Sequence, residues 1–261
     1  MAMILMSSGW ARRKIKRVAW RFGAALRGAR DRNFVFVFST PRTGSYLLVD
    51  QVKKEAKYGI GGEVLNPMSG CGIAFDTAHC VLSRHVKSYV LSRSGKTVGA
   101  KIMLNQLKRH AVDMPLFTQW FPRLQGVILY RKDLLAQFQS KNLAMQSGEW
   151  LKTNNSHGSV SVDTLRFSKY VKAQRDLYQD AWSTLGQMGI TVLAYEDFCA
   201  EPQLWLTKLT GKEVKGGTNI SQRKRDILLD ISNRDDLREE AKFRGMQFSG
   251  EGFLMKGWGD F

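Results

Sequence analysis

The chain has 261 residues, of which 43% are hydrophobic and 11% aromatic. This composition is sufficient for a sizeable core and excludes disordered, collagen-like and low-complexity classes. No Pro/Ser-rich or uniformly charged stretch divides the sequence into two halves. We therefore expect one domain over residues 34–261, preceded by a basic arm over residues 1–33.

The charge balance is strongly basic. Forty Lys and Arg residues against 23 Asp and Glu residues give a net charge of +17. Such a surface attracts anions, including nucleic acid, acidic lipid, acidic glycans and sulfated or phosphorylated metabolites. Three cysteines without CxxC spacing, Cys71, Cys80 and Cys199, indicate neither a disulfide framework nor a zinc ribbon. They favour a reducing compartment, so we expect a cytoplasmic protein.

The basic arm contains nine Lys or Arg residues and one acid, Asp31. Apolar residues recur in it at helical spacing, which predicts a basic amphipathic helix. This helix either lies peripherally on an anionic membrane surface at the inner face, or packs its apolar stripe on the domain. The apolar stretch before Arg12 is too short to span a membrane, and it lacks the order of a secretory signal.

Apolar runs alternate with helical patterns along the rest of the chain. The predicted strands cover residues 34–38, 97–104, 126–130 and 190–194, with a much weaker one at 64–65. The predicted helices cover residues 45–57, 77–93, 134–147, 163–188 and 202–209. This βαβ rhythm predicts an α/β fold, a P-loop-like three-layer αβα arrangement with a central, mainly parallel sheet. Ligands of such sheets bind beyond the carboxyl ends of the strands.

The segment after the first predicted strand has the pattern of an anion site. Residues 39–45 read Ser-Thr-Pro-Arg-Thr-Gly-Ser and lead directly into a helix. Loop N–H groups and the positive end of a helix dipole converge on an anion in such a turn. The hydroxyls of Thr43 and Ser45 can donate to its oxygens, Arg42 supplies charge, and Gly44 permits close approach. A Gly-Lys pair is missing, so the segment is not a Walker A motif.

A second polar segment follows the strand at residues 126–130. Arg131 comes directly after the strand, Asp133 is a plausible helix N-cap, and Ser140 lies about two turns into the helix. A strand-end Arg and a helical Ser at this spacing can bind one phosphate. The pattern alone is equally compatible with a solvated Arg and an incidental Ser.

Together these two segments resemble the PAPS-dependent sulfotransferases, where PAPS is 3′-phosphoadenosine-5′-phosphosulfate. Residues 39–45 match the 5′-phosphosulfate loop of the family, and residues 131–140 match its 3′-phosphate segment. The chain is most similar to bacterial carbohydrate sulfotransferases of the trehalose-sulfating and nodulation-factor type. Three further segments appear in family order, Gly-Glu-Val-Leu-Asn at residues 62–66, Val-Gly-Ala-Lys-Ile at 98–102 and Tyr-Glu-Asp-Phe at 195–198.

The resemblance implies roles for individual residues. PAPS would be bound by the first loop, the residue after it, and the strand-end Arg with its helical Ser: Thr40, Pro41, Arg42, Thr43, Gly44, Ser45, Tyr46, Arg131 and Ser140. It implies Glu63 as the general base, in a glycine-rich turn at residues 59–63, with His79 and His85 as runners-up. Lys101 and Arg42 would neutralise the leaving oxygen. Lys101 also lies inside an apolar strand, where an ammonium group requires a partner.

The resemblance further implies transfer of a sulfuryl group to a hydroxyl of a carbohydrate or glycolipid, with no essential metal. No His/Cys cluster or paired-carboxylate metal motif appears in the sequence. Tyr195, Glu196 and Asp197 are interpreted as structural, and the basic run at residues 221–225 as the solvated start of a helix. Two alternatives stay open, a nucleic-acid-binding protein, although it lacks a recognition motif, and a P-loop kinase-like transferase.

Overall fold

The structure, a computed structural model, describes residues 32–69, 72–148, 163–214, 245–249 and 252–256. The predicted arm, apart from Arg32 and Asn33, and the basic run at residues 221–225 lie outside these ranges. In the described ranges the strands are β1 (Asn33–Ser39), β2 (Gly59–Glu63), β3 (Thr97–Met103), β4 (Leu124–Tyr130), β5 (Thr191–Ala194), β6 (Gly245–Phe248) and β7 (Phe253–Lys256).

Helices connect these strands on both sides of the sheet. They are α1 (Ser45–Ala56), α2 (His79–Leu91), α3 (Leu104–Arg109), α4 (Met114–Trp120), α5 (Leu134–Ser147), α6 (Thr164–Leu185), α7 (Tyr195–Ala200) and α8 (Pro202–Thr210). Asp113, Asp133 and Asp163 each cap a following helix by accepting a hydrogen bond from a backbone N–H of its first turn. The helix predicted at residues 134–147 agrees with α5 at both ends.

The central sheet has five strands in the order β2-β3-β1-β4-β5, and every neighbouring pair is parallel. Alternation along β1 explains the layers, since successive side chains of a strand point to opposite faces. Phe36 and Phe38 belong to an apolar cluster with α2 to α6, whereas Val37 belongs to one with α1, α7 and α8. All three are at most 1% exposed. The predicted three-layer αβα fold is confirmed.

One predicted strand is wrong. Residues 64–65 form a buried turn, and the fifth strand of the sheet is β2, in the segment predicted as a glycine-rich turn. Three glycines in five residues argue against a strand, but the packing requires them. A Cβ at Gly59 would lie 2.1 Å from the carbonyl oxygen of Ser94, and one at Gly61 would lie 2.3 Å from the Tyr89 ring. The close approach of the Ser94 carbonyl and the Tyr89 ring to the backbone explains why this strand contains glycines despite their low β-propensity.

Two short helices were not predicted from the sequence. α3 and α4 lie between β3 and β4, where the sequence pattern gave no element. Residues 195–197, interpreted as a structural segment before the next helix, begin α7. The other predicted helices shift by one to three residues at their ends, which is the ordinary uncertainty of helix boundaries.

The strands β6 and β7 pair antiparallel and pack against the domain. The ring of Phe253 lies 5.1 Å from that of Tyr178 and 5.3 Å from that of Tyr130, measured between centroids. Its backbone N–H donates to the side-chain carbonyl of Gln179 at 3.0 Å. None of the helices in the described residues has the length and apolar character needed to cross a membrane.

Candidate active site

The candidate site lies where β1 ends, at the carboxyl edge of the sheet. β1 has β3 on one side and β4 on the other, so the segments after these three strands meet there. After β1 the chain crosses one face of the sheet through α1 to reach β2, and it crosses the other face through α2 to reach β3. The later strands β4 and β5 are added on the opposite side of β1, so the strand order reverses at this strand, and the end of β1 is the switch point of the topology. Arg42, Lys101 and Arg131, three of the predicted site residues, lie after or near the ends of these strands.

The loop between β1 and α1 has a tight conformation. Arg42 and Gly44 both have positive φ angles, of 68° and 79°. A Cβ on Gly44 would lie 2.3 Å from the Tyr195 ring, so only glycine fits there. Gly44 is the N-cap of α1 and provides no side-chain hydrogen bond to the first turn. The Gly44 carbonyl oxygen accepts from the backbone N–H groups of Leu47 and Leu48, at 2.9 and 3.3 Å, and the start of α1 is the positive end of the helix dipole.

A buried hydrogen-bond network holds the start of this loop. The Tyr178 hydroxyl donates to the carbonyl oxygen of Leu129 at 2.9 Å. It accepts a hydrogen bond from the Thr40 backbone N–H at 3.2 Å. Because the Tyr178 proton is donated to Leu129, the Thr40 hydroxyl is the donor in the 3.0 Å contact between the two hydroxyls. The Gln137 amide donates to the Thr40 hydroxyl oxygen at 3.0 Å and to the Pro41 carbonyl at 2.7 Å. Helices α5 and α6 thereby set the position of the loop.

Replacing Tyr178 with Phe tests this network. Burial raises the pKa of the Tyr178 hydroxyl, so it remains a donor across the accessible pH range. The variant leaves the Leu129 carbonyl without its donor and the Thr40 N–H without its acceptor. We expect a loss of about 1–3 kcal/mol in the free energy of unfolding, measured by urea denaturation. Tyr170→Phe is the control, because its ring is also buried in α6 and its hydroxyl has no hydrogen bond within the described residues. Equal losses in the two variants would contradict the role of the network.

The two segments that the sequence singled out come together at the loop. The Arg42 Nε donates to the Ser140 hydroxyl at 2.8 Å, although 98 residues separate them. Arg131 Nη1 donates to the Arg42 carbonyl oxygen at 3.3 Å. Two guanidinium groups and two hydroxyl-bearing segments therefore converge beside the N-terminus of α1. Such a set of donors suits a multiply charged anion.

Arg131 is held from its other side by α7. Its Nε lies 3.8 Å from a carboxylate oxygen of Glu196, and its guanidinium carbon lies 5.3 Å from the centre of the Tyr195 ring. Glu196 itself accepts from the backbone N–H groups of Lys132 and Asp133, at 3.0 and 3.1 Å. The Arg131 Nε is buried without a hydrogen bond. The Glu196 carboxylate oxygen at 3.8 Å is beyond hydrogen-bond distance of this Nε and pairs with it through charge.

Glu63 and Lys101 form a buried ion pair at the ends of β2 and β3. The Lys101 Nζ lies 2.8 Å from Glu63 Oε1, and the two side chains are 2% and 16% exposed. Amides of Asn66 and Gln106 each donate to Glu63 Oε2 at 3.0 Å. The ring of Tyr46 lies 3.4 Å from the Lys101 Nζ. The partner that Lys101 requires inside its strand is therefore Glu63, which the sequence analysis had selected for a different reason.

The pKa values of this pair respond to burial and to each other. Burial acts to raise the pKa of Glu63, but the Lys101 charge and the hydrogen bonds from Lys101, Gln106 and Asn66 outweigh it and the net shift is downward. Burial lowers the pKa of Lys101, and the Glu63 charge opposes that shift. Glu63 is consequently ionised at neutral pH, the state in which a carboxylate accepts a proton or stabilises a cation.

Replacing Gln106 with Leu should raise the pKa of Glu63. The change removes one donor that stabilises the ionised carboxylate, so protonation becomes easier and its titration moves to higher pH. The ¹³C shift of the Glu63 carboxyl carbon, followed by NMR against pH, measures this directly and needs no activity. Gln119→Leu, an exposed position on α4, is the control and should leave the titration where it is in the parent protein. A midpoint that stays unchanged in Gln106→Leu would contradict the assignment of Gln106 as a donor to Glu63.

The remaining predicted site residues are placed as follows. Thr40 and Thr43 are fully buried and Ser45 is 4% exposed, whereas Tyr46 is 53% exposed. Thr43 donates its hydroxyl to the Thr40 carbonyl at 2.9 Å. His79 and His85 both lie on α2, and a ring nitrogen of His79 lies 3.1 Å from the His110 carbonyl oxygen. Arg42 points toward Ser140, so its predicted sharing of the leaving oxygen with Lys101 stays a prediction.

Sequence reasoning missed the residues that support the site. Tyr178 and Gln106 occur in helices where nothing distinguishes them from ordinary aromatic or polar residues, and Gln137 and Asn66 lie in segments 131–140 and 62–66 but were assigned no role. Glu196 was interpreted as structural, and its contacts with the backbone after β4 agree with that. Among the described residues, no group of three or more His, Cys, Asp or Glu is arranged to hold a metal ion.

Comparison with known proteins gives a structural similarity. No protein-family model matches the sequence, and no curated protein sequence matches it. Among solved structures, a sulfotransferase from Alicyclobacillus acidocaldarius is 14% identical, and the match covers 82% of this chain and 91% of that chain with a TM-score of 0.49. The assignment of the fold therefore depends on the strand order and layers described above.

Proposed function

We propose that this protein is a sulfotransferase that uses PAPS as its donor. One observation carries the proposal. The loop after β1, with an uncapped helix N-terminus, meets Arg42, Arg131 and Ser140, while the Glu63–Lys101 ion pair lies at the end of the adjacent strand. The residues proposed for anion binding and the buried carboxylate–ammonium pair thus lie at one edge of the sheet, which suits transfer from a donor with two anionic groups.

The residues present fit such a donor. The N–H groups of the first turn of α1, with the hydroxyl of Ser45, would hold the 5′-phosphosulfate. Arg131 and Ser140 would hold the 3′-phosphate, and their shared contacts with Arg42 support this placement. Tyr46, exposed beside the loop, would contact the donor from outside. Gly44 keeps the loop close to Tyr195, since any side chain there would collide with that ring.

The donor supplies a sulfuryl group, whose bond to the 5′-phosphate oxygen breaks as the acceptor oxygen bonds to sulfur. Glu63 takes the proton of the acceptor hydroxyl. Lys101 contacts Glu63 Oε1, and the amides of Asn66 and Gln106 both donate to Oε2, so the carboxylate is ionised and able to take that proton. Lys101 stabilises the ionised form of Glu63 and supplies positive charge where negative charge develops.

The acceptor in this proposal is a hydroxyl of a carbohydrate or glycolipid. Support for it comes from the resemblance of the sequence to bacterial carbohydrate sulfotransferases. Contact of the arm with an anionic membrane surface would bring a glycolipid acceptor to the site, and it belongs to the same proposal. Binding to specific nucleic-acid sequences is not part of it, because the sequence carries no recognition motif.

Calorimetric titration with adenosine 3′,5′-bisphosphate, beside 5′-AMP and Mg-ATP, tests the proposal. The titrations are run at about 0.15 M salt, where long-range attraction to the basic surface is screened. We expect a clear preference for the bisphosphate over both other ligands. Equal binding of bisphosphate and 5′-AMP would overturn the assignment of the 3′-phosphate site, and tighter binding of Mg-ATP would favour the kinase-like alternative.

A further inference from the structure

A basic groove lies beside the candidate site, between α3 and α6. It has a volume of about 440 Å³ and is lined by Asn105, Lys108, Arg109, Lys169, Lys172 and Asp176, among others. This volume lies within the range of about 300–1,000 Å³ that is typical of small-molecule sites. The groove therefore suits one or two sugar rings better than an extended duplex.

The charge of the groove is unbalanced. Four cationic side chains face one carboxylate, that of Asp176, which forms an ion pair with Arg175 at 3.1 Å. Within the residues that the structure describes, no ion pair joins Lys108, Arg109, Lys169 or Lys172 to a carboxylate. Cations gathered without carboxylate partners attract anionic ligands.

The groove and the candidate site use neighbouring residues of the same helices. Asn105 lines the groove, and the next residue on α3, Gln106, donates to Glu63. On α5, Ser140 accepts from Arg42, and its neighbour Lys141 lies 5.1 Å from the ring of Tyr170 on α6. Burial lowers the pKa of Lys141, and the charge of Arg109, a groove residue, lowers it further.

The direction of α6 places the groove and the candidate site at the same edge of the sheet. Tyr178 of α6 reaches Thr40 at the end of β1, and the groove residues Lys169 and Lys172 precede Tyr178 along the helix. They therefore lie beyond the carboxyl edge of the sheet. Both are exposed on the helix surface.

We propose that the basic groove binds an acidic group of the acceptor carbohydrate, so that the acceptor is an anionic sugar rather than a neutral one. This inference rests on the proposed function, since it assigns the acceptor to the same site. The acidic group is a carboxylate, sulfate or phosphate, each of which presents anionic oxygens that accept charge-assisted hydrogen bonds from Lys or Arg. Lys169 and Lys172 contact it and leave the acceptor hydroxyl free to approach Glu63.

The test compares binding of neutral dextran, carboxymethyl-dextran and dextran sulfate oligosaccharides of equal length, followed by fluorescence anisotropy at about 0.15 M salt. The variant Lys169→Ala/Lys172→Ala is compared with Lys53→Ala/Lys208→Ala, which removes the same charge from exposed positions of α1 and α8 in the opposite layer. We expect the groove variant to bind the acidic probes about tenfold more weakly. The control should change little, and neutral dextran should bind weakly throughout.

The outcomes separate this inference from the proposed function. The groove variant should retain its affinity for adenosine 3′,5′-bisphosphate, because the groove does not contain the donor residues. An equal loss in the two double variants would overturn the inference. The inference would also be overturned if duplex DNA bound as tightly as the acidic oligosaccharides and lost the same affinity in the groove variant. A loss of bisphosphate binding in the groove variant, parallel to its loss of oligosaccharide binding, would overturn it too. If the parent protein fails to bind bisphosphate but the groove variant alone loses acidic oligosaccharide, the proposed function fails and the anion-binding groove stands.

Discussion

Replacing Glu63 with Gln should reduce turnover by about 10²–10⁴, the usual contribution of a general base. The amide keeps the shape of the side chain but accepts no proton at neutral pH. Binding of adenosine 3′,5′-bisphosphate should be retained, because the residues assigned to it lie on the loop after β1, directly after β4 and on α5. Turnover is measured as transfer of labelled sulfate from PAPS to the best acceptor of a carbohydrate screen.

Stability must be measured on the same variant, because Glu63 is also the partner of Lys101. Lys101 is 2% exposed, and breaking a buried ion pair leaves a charge without compensation. Urea denaturation gives the free energy of unfolding, and turnover is compared at a temperature where both proteins are folded. Glu55→Gln, at an exposed position of α1, should keep full turnover. Unchanged turnover in a folded Glu63→Gln protein that still binds bisphosphate would remove Glu63 as the base.

Replacing Arg131 with Ala should weaken binding of adenosine 3′,5′-bisphosphate far more than binding of 5′-AMP. Hydrogen bonds to a charged group contribute about 1.5–3 kcal/mol, so we expect a loss of about ten- to hundredfold for the bisphosphate. The 5′-AMP lacks the 3′-phosphate and should lose little. Both affinities come from calorimetric titration at the same salt concentration.

Two variants control for charge and geometry at this position. Lys132→Ala removes one positive charge from the next residue, whose ammonium pairs with Asp197 on the surface, and should change bisphosphate affinity little. Arg131→Lys keeps the charge but loses the planar fork of donors, so its affinity should lie between those of the parent and the Ala variant. Equal weakening of both nucleotides by Arg131→Ala would place Arg131 away from the 3′-phosphate.

Much of the fold could be predicted from the sequence because its signals are local. Continuous apolar runs in β1, β3 and β4, alternating with helical patterns, indicate a parallel sheet covered on both faces. Asp133 and the following periodicity determine a helix whose bounds agree with the structure. The small and polar residues of the loop before α1, together with Gly44, likewise indicate a tight turn between β1 and α1, and the structure has that turn.

The strand β2 could not be predicted, since its glycines contradict strand propensity. Their reason is visible only in three dimensions, where Tyr89 and Ser94 approach the backbone too closely for any side chain. The short helix α3 was missed as well, although it supplies Gln106 to the carboxylate of Glu63. Propensity is overruled at these positions by tertiary packing.

The sequence by itself determined that a lysine inside an apolar strand needs a partner, and that the loop after β1 and the segment after β4 have the pattern of anion sites. Only the tertiary structure decided which groups meet. Lys101 pairs with Glu63 because β2 lies next to β3, and Arg42 reaches Ser140 because β4 lies next to β1. Strand order joins residues that are distant in the chain, and no local pattern of the sequence encodes that order.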